Sequence, residues 1–284
     1  MIVDRIKGLL EPEAKSIRIG DVRIGLGYTA ILTESGSAGV AYTPREELGR
    51  GCSMLPGRQP LAGRDAAELL AYLTSGSALE RAVGLATANA LLGTRELGTV
   101  FRGDVMDMLG LRSGDRVGMV GYFDPLFSRI ESQAASLTIF ERSRGWTAGV
   151  QPAERAVDVL PSCTVALITS TTLITQSLEP LLEAAGGCRV VALLGPSTPL
   201  VPEAFTGTPV TWLSGIVITY PQEVLRVVSE GGGTREFSPY ARKVNLRISH
   251  REAREARTSL EDPGGAAESG RPAVGTGPGR WPAV

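Results

Sequence analysis

The chain contains few of the side chains that most nucleophilic and metal sites require. Its 284 residues include one histidine, three cysteines and 5% aromatic residues. The histidine, His250, stands near the start of a Gly/Pro/Ala-rich C-terminal stretch rather than in an apolar segment. A Ser-His-Asp or Cys-His catalytic set therefore has no core histidine to use, and a histidine-rich zinc site is equally unexpected.

The cysteines, apolar runs and charges argue against further classes. Cys52, Cys163 and Cys188 are odd in number, far apart in the sequence and in no Cys-x-x-Cys pair, so we predict neither a disulfide framework nor a zinc ribbon. The chain has no apolar run of about 18 residues and no signal-peptide layout at its start, so we expect a cytoplasmic protein without membrane contact. The net charge of −1 gives no general attraction to nucleic acid.

The pattern of residues 1–95 predicts a small α+β domain. Apolar residues at helical spacing predict a helix over 1–15. Strands are predicted over 21–26, 28–33 and 39–42. Asp65 and Ser77 each stand three residues before a glutamate, the spacing of a capping box, so each is expected to begin a helix. The second of these helices is expected to stop at Gly93.

Residues 96–248 change to a regular alternation of strands and helices. Short apolar strands are predicted over 116–123, 137–141, 164–169, 188–195 and 211–219. Helical segments are predicted between and after them, over 126–135, 152–160, 175–185 and 221–230. This alternation is typical of a parallel sheet covered on both faces, so we predict a Rossmann-like α/β domain. Residues 249–284 are rich in Gly, Pro and Ala, and we predict a disordered tail there.

The most informative feature is the loop after the apolar run at 192–194. It reads Gly195-Pro196-Ser197-Thr198-Pro199, a turn that carries two hydroxyls. In open α/β sheets ligands bind at the carboxyl ends of the strands. Pro196, Ser197 and Thr198 are therefore candidate contacts for a small polar or anionic ligand.

Polar or glycine-rich junctions follow other predicted strands. Gly118 and Gly121 have the spacing G-x-x-G rather than the dinucleotide fingerprint G-x-G-x-x-G, so a nicotinamide cofactor is weakly supported. Gly121 and Phe123 remain candidate contacts in this turn. Glu141 ends the second strand, where an acidic group could hold a ribose hydroxyl; the alternative is a capping or solvent-facing carboxylate.

Two further junctions have both a structural and a binding interpretation. The hydroxyls at 169–172, including Thr171 and Thr172, could cap a helix, line the ligand crevice, or do both. Glu230, with the three glycines that follow it (Gly231, Gly232 and Gly233), could form a helix C-cap, an anion-binding nest or a flexible connector.

Two polar residues stand in apolar surroundings in the first domain. Asn89 lies among alanines, and Thr29 follows Gly27-Tyr28. Each is either a hydrogen-bonded anchor or a ligand contact, and for Asn89 the anchor is favoured because buried amides are more often structural.

Several strings together resemble one known family. They are Gly27-Tyr28-Thr29, Gly84 to Leu91, Val117 to Phe123 with Pro125-Leu126, Ile168 to Ile174, Gly195 to Leu200 and Glu230 to Thr234. The resemblance is to the family called "putative heavy-metal chelation", and it covers about residues 1–248. It implies an enolase-N-terminal-like domain joined to a Rossmann-like domain, with a site between them. Metal chelation itself is shown by no residue pattern, since soft metals prefer thiolate and imidazole ligands.

These observations lead to a hypothesis about function. We expect a protein that binds a small anionic metabolite or a metal-chelate in the crevice between its domains. The sequence leaves open whether the protein forms a homo-oligomer. The candidate ligand-binding residues are Thr29, Asn89, Gly121, Phe123, Glu141, Thr171, Thr172, Pro196, Ser197, Thr198, Glu230, Gly231, Gly232 and Gly233. Any bound metal is expected as a chelate or on oxygen ligands such as Asp124, Glu141 or Glu230. One alternative is a transferase that uses an adenosine-containing donor, and another is a non-catalytic metal-responsive protein.

Overall fold

The N-terminal part is a three-stranded antiparallel sheet packed against helices. The structure is a computed structural model, and it describes residues 1–48, 53–142 and 149–248. The helices here are α1 (Ile2–Ala14), α2 (Ala66–Leu70) and α3 (Ala78–Leu92), and the strands are β1 (Ile19–Ile24), β2 (Tyr28–Thr33) and β3 (Ala38–Tyr42). The strand order is β1-β2-β3. The predicted α+β arrangement is therefore confirmed.

Helix α3 is buried on nearly every side and lies directly against β3. Its N-cap Ser77 accepts a hydrogen bond from the N–H of Glu80, and it ends at Gly93 as predicted. A Cβ on Gly39 of β3 would lie 2.1 Å from the backbone nitrogen of Ala90, so only glycine permits this approach. The side chain of Asp65, at the N-cap of α2, accepts no capping bond, so the prediction of a capping box there is wrong.

The C-terminal part is built on one eight-stranded sheet. Its strands are β4 (Val100–Phe101), β5 (Arg116–Val120), β6 (Ser136–Glu141), β7 (Val150–Pro152), β8 (Val165–Thr169), β9 (Val190–Leu194), β10 (Trp212–Ile218) and β11 (Ala241–Arg247). The order across the sheet is β4-β11-β10-β9-β8-β5-β6-β7. The six strands from β10 to β7 in this order are parallel. Strand β11 pairs antiparallel with β10 on one side and with β4 on the other.

The parallel strands have the Rossmann order: strands β5 to β7 follow one another in one direction across the sheet, strands β8 to β10 in the other, and the strand order reverses between β5 and β8. Helices cover both faces: α4 (Val105–Leu109), α5 (Asp124–Gln133), α6 (Ala156–Val159), α7 (Leu178–Ala184), α8 (Pro221–Ser229) and α9 (Thr234–Phe237). Val117 and Met119 of β5 pack in one apolar cluster with Ile130 of α5, while Val120 belongs to the cluster on the other face with α7. This alternation is the period of two expected of a strand.

The apolar cluster that contains Val120 also includes the buried residues of α1 and α3, so one apolar core extends through both parts of the chain. The described residues, 1–48, 53–142 and 149–248, accordingly belong to one compact unit. The predicted boundary at residues 95–96 stays a prediction. The predicted tail, His250 and Cys52 lie outside the described residues.

The predicted fold class, α/β with a Rossmann-like parallel sheet after a small α+β part, is confirmed. Three strands were not predicted: β4, β7 and β11. Strands β4 and β7 have two and three residues, too few for a periodic pattern. Strand β11 reads Ala-Arg-Lys-Val-Asn-Leu-Arg, in which charged side chains weaken the apolar alternation.

Candidate functional site

The carboxyl edge of the parallel sheet brings together residues that are far apart in the sequence. Glu141 ends β6, Gly121 follows β5, Thr169 ends β8 and Gly195 follows β9. These strands are neighbours in the order β6-β5-β8-β9, so the four residues follow one another along the edge at a strand spacing of about 4.8 Å. Gly121 and Thr169 lie on the two sides of the β5/β8 reversal. A Cβ on Gly121 would lie 2.9 Å from the Cβ of Thr169.

The loop after β9 is attached to the N-terminal sheet. Gly195 has a φ of +119°, a conformation that favours glycine. The Ser197 hydroxyl oxygen accepts a hydrogen bond from the N–H of Tyr42 at 2.9 Å. The Asn89 amide nitrogen donates to the Ser197 carbonyl at 3.2 Å and to the Val40 carbonyl at 2.9 Å. Asn89 is thus an anchor between the two parts of the chain, and it does contact the loop predicted to bind ligand.

A small cavity lies behind this loop. It is lined by Val40, Asn89, Pro196, Thr198 and Ile216 among others, and its volume is about 10 Å³. That is close to the smallest space that holds one water and is too small for a metabolite. Thr198 is 2% exposed, and its hydroxyl has no hydrogen-bond partner among the described residues, so a single water is the expected occupant.

The hydroxyl run after β8 caps the turn that it begins. Thr169 accepts from the N–H of Thr171 at 3.4 Å, and the hydroxyls of these two residues lie 3.1 Å apart. The Thr172 hydroxyl donates to the Thr169 carbonyl at 2.6 Å. Ser170 was not singled out from the sequence. It is 1% exposed, its hydroxyl has no partner among the described residues, and it faces Gly195, where a Cβ would lie 3.2 Å away.

The turn after β5 is held by the acidic residue of the next strand. The Glu141 carboxylate accepts hydrogen bonds from the N–H groups of Tyr122 at 3.0 Å and Arg142 at 2.7 Å. Gly121 has a φ of +91°, and Phe123 is the N-cap of α5. Gly118 lies inside β5, where a Cβ would lie 2.6 Å from the Leu160 side chain, so its role is packing rather than an approach to phosphate.

A segment of the N-terminal part crosses this edge, and no sequence signal pointed to it. Tyr42 contacts the loop after β9, and Glu47 forms an ion pair with Arg142, after β6, at 2.8 Å. Strands β9 and β6 are three strand spacings apart, about 14 Å, so residues 42–47, the crossing segment, join two well-separated points of the edge through these two contacts. Burial, together with the Glu46 carboxylate, raises the pKa of the Tyr42 phenol.

A buried arginine joins the crossing segment to the hydroxyl run. Arg81 of α3 is 5% exposed and donates through Nε to the Ile174 carbonyl. Its Nη1 donates to the carbonyls of Ser75 and Gly76, and its Nη2 lies 3.8 Å from Glu47. The guanidinium thus links α3 to the crossing segment and to the residue that follows the hydroxyl run and its turn.

The other predicted residues have local partners. The Thr29 hydroxyl is buried and lies 3.0 Å from that of Thr43. Glu230 is exposed and paired with Arg226. The N–H groups of the three glycines all donate within the chain: Gly231 to Val228 O at 3.1 Å, Gly232 to Val227 O at 2.9 Å and Gly233 to a Glu236 carboxylate oxygen at 2.9 Å. An anion nest here would require these bonds to open, and the ligand role of these residues stays a prediction.

The glycine segment packs against the N-terminal hairpin rather than against the crossing segment. Tyr28 and Thr234 hydroxyls lie 2.8 Å apart, and a Cβ on Gly27 would lie 3.5 Å from the Gly232 carbonyl. Among residues 1–48, 53–142 and 149–248, no three His, Cys, Asp or Glu side chains gather as a cation site. No helix in those ranges is long and apolar enough to cross a membrane.

The fold and the carboxyl edge of the sheet define the class: a Rossmann-like α/β protein with a small N-terminal α+β part that contacts the loop after β9 and the residue after β6. Two family models with the same description, "Putative heavy-metal chelation", match residues 8–92 and 104–247. The chain belongs to this family. The resemblance drawn from its motifs is therefore confirmed.

Known relatives match most of the chain. An uncharacterised protein of Methanocaldococcus jannaschii is 25% identical over 261 residues, which is 87% of this chain and 98% of that protein. Two solved structures of family members with unknown function are similar. The one from Pyrococcus horikoshii has a TM-score of 0.78 at 22% identity, and the match covers 87% of this chain and all of that one. The one from Desulfitobacterium hafniense has a TM-score of 0.74 at 25% identity, covering 87% and 96%.

Proposed function

We propose that the protein binds a small anionic molecule, free or as a complex with a metal ion, at the carboxyl edge of its parallel sheet. The observation that carries this proposal is the position of Gly121 and the Thr169–Thr172 hydroxyls on the two sides of the β5/β8 reversal. In Rossmann-like sheets this reversal opens the crevice in which ligands bind. The family description, heavy-metal chelation, agrees with a ligand that carries a metal.

Three features support an anion rather than a neutral molecule. Helix α5 begins directly after the Gly121 turn, and the amino end of a helix favours negative charge. The hydroxyls of Ser170 and Thr171 can donate hydrogen bonds, and Ser170 has no partner among the described residues. The Arg142 guanidinium lies at the same edge, and its side chain is 54% exposed. The crossing segment at residues 42–47 would then cover a bound molecule.

The test is a thermal-shift screen with citrate, phosphate and short dicarboxylates, each with and without a divalent cation. A ligand at 100 times its Kd stabilises the folded state by about 2.7 kcal/mol, which raises Tm by several degrees. Thr171→Val keeps the shape of the side chain but removes its hydroxyl, and we expect it to abolish the ligand-induced shift. Thr206→Val makes the same change at an exposed turn and should keep the shift. An equal shift in both variants would refute this placement.

A second candidate is a transferase with an adenosine-containing donor. It is favoured by one observation, the Glu141 carboxylate at the end of the second strand of the Rossmann order, where ribose hydroxyls bind in dinucleotide enzymes. Isothermal titration with S-adenosylmethionine, ATP and NAD distinguishes it. Heat with one of them, lost in Glu141→Gln, would favour this candidate, and no heat with any would eliminate it.

A further inference from the structure

Cys163 and Cys188 are 25 positions apart in the sequence but lie side by side in the sheet. Each stands two residues before a strand, β8 or β9, and these strands are parallel neighbours with Val165 opposite Val190. The N–H of Arg189 donates to the Thr164 carbonyl at 2.9 Å, so the pairing continues to the cysteines. The pair lies at the amino edge of the sheet, opposite the site proposed above.

Both thiols point to the same side of the sheet. The Cys188 sulfur lies 3.4 Å from the Cys163 carbonyl oxygen and 3.8 Å from that of Leu160. The Cys163 sulfur lies 3.6 Å from the carbonyl oxygen of Val159, the residue before Leu160. Both sulfurs therefore contact backbone carbonyls of the same turn, residues 159–163.

The spacing suits a metal held by two sulfurs. Neighbouring strands are about 4.8 Å apart. Zinc–thiolate bonds are about 2.3 Å long, and two metal–thiolate bonds of similar length arranged in a line span about 4.6 Å. Thiolates are soft ligands that select soft cations such as Cu(I). We propose that Cys163 and Cys188 form a two-thiolate site for a soft cation of this class.

The charges and the access route agree with this site. On binding, each thiol releases its proton to solvent, two sulfur–metal bonds form, and the Cu(I) complex carries one negative charge. The Arg116 guanidinium, which donates to the Ser162 carbonyl at 2.6 Å, offers a nearby positive charge. Burial raises the pKa of both thiols, that of Cys188 to about 11, so the bound cation has to displace both protons.

A cation can reach the pair from the amino edge. Cys163 is buried, but Cys188 is partly exposed. The two glycines just before Cys188 have no atoms within 4 Å of where a Cβ would stand, so this edge faces open space. On the other side, a Cβ on Gly118 would lie 3.1 Å from the Cys163 sulfur, so glycine there leaves room for the thiol.

The test is an anaerobic titration of the full chain with Cu(I) in competition with bicinchoninate. We expect one Cu(I) per chain for the unchanged protein and for Cys52→Ala, the matched control that removes the third cysteine. Cys163→Ala and Cys188→Ala should each weaken binding by more than the roughly 100-fold that loss of an outer-shell partner costs a metal site. Binding retained in both variants, or lost equally in Cys52→Ala, would overturn the proposal.

X-ray absorption on the unchanged protein loaded with Cu(I) gives a measurement that depends on no variant. Two sulfur neighbours are expected. A shell of nitrogen or oxygen, a third sulfur, or failure of the protein to compete for Cu(I) would contradict the two-thiolate site. Neither result bears on the carboxyl-edge proposal, because the two sites are at opposite edges of the sheet.

Discussion

Acid should weaken the folded state through one buried carboxylate, that of Asp115. This residue precedes β5 and is 3% exposed. Its carboxylate pairs with Arg189, which donates through Nε at 3.1 Å and more closely through Nη2, and it accepts from the N–H of Arg112 at 2.7 Å and the hydroxyl of Thr164 at 2.8 Å. The hydrogen bond from Arg189 is the largest cause that lowers the Asp115 pKa to about 2, from 3.8.

The size of the effect follows from this difference in pKa. A carboxyl group with a pKa of 3.8 when unfolded and about 2 when folded stabilises the folded state by about 2.4 kcal/mol at neutral pH. Because the folded pKa is the lower one, this stability is fully present above the unfolded pKa and is lost as pH falls from about 4 to about 2. At pH 3 about 1.3 kcal/mol of it should remain.

Urea unfolding of the wild type and Asp115→Asn between pH 7 and pH 3 measures this contribution. The variant should be less stable by about 2–3 kcal/mol at pH 7, and the difference should shrink by about 1 kcal/mol at pH 3. Asp158→Asn is the control, since Asp158 and its partner Arg155 are both exposed, and it should change stability by less than about 0.5 kcal/mol. A constant difference between wild type and Asp115→Asn over this range would refute the reasoning.

Three further substitutions probe close approaches and the anchor between the two parts of the chain. Gly39→Ala should cost about 3 kcal/mol or more in urea unfolding, because its Cβ would overlap the backbone of α3, whereas Gly8→Ala has open space and should be neutral or stabilising. Asn89→Ala leaves two carbonyls without their donor and should cost about 1–3 kcal/mol by thermal unfolding. Gly121→Ala should cost more than 1 kcal/mol, measured in the same way, since its φ is +91° and a Cβ would press on Thr169.

The elements of the fold could be predicted because their signals are local. Apolar runs alternating with helical patterns from residue 116 onward indicated the parallel sheet, and Ser77 and Gly93 marked the two ends of α3. Strand β11 was missed because its charged side chains face solvent, and its place in the sheet depends on pairing with β10 along its whole length. No pattern within those seven residues records that pairing.

The candidate site could be predicted only in part, for a similar reason. The loop after β9 and the hydroxyls after β8 were found because both follow apolar runs. Residues 42–47 carry no motif, and their position over the carboxyl edge depends on contacts with Ser197 and Arg142, more than 90 residues away in the sequence. Ser170 was not distinguished from the neighbouring hydroxyls, since a sequence does not tell which of them lacks a partner.

The sequence by itself determined most of the secondary structure, the alternation that makes a Rossmann-like sheet, and the motifs of the heavy-metal chelation family. These signals are local: they show as residues that recur at intervals of two to four positions, the repeat lengths of a strand and a helix. Only the tertiary structure decided that Asn89 contacts Ser197 and that Cys163 and Cys188 are neighbours. Strand order and domain packing minimise the free energy of the whole chain. They therefore bring together residues whose positions in the sequence do not indicate that they are neighbours.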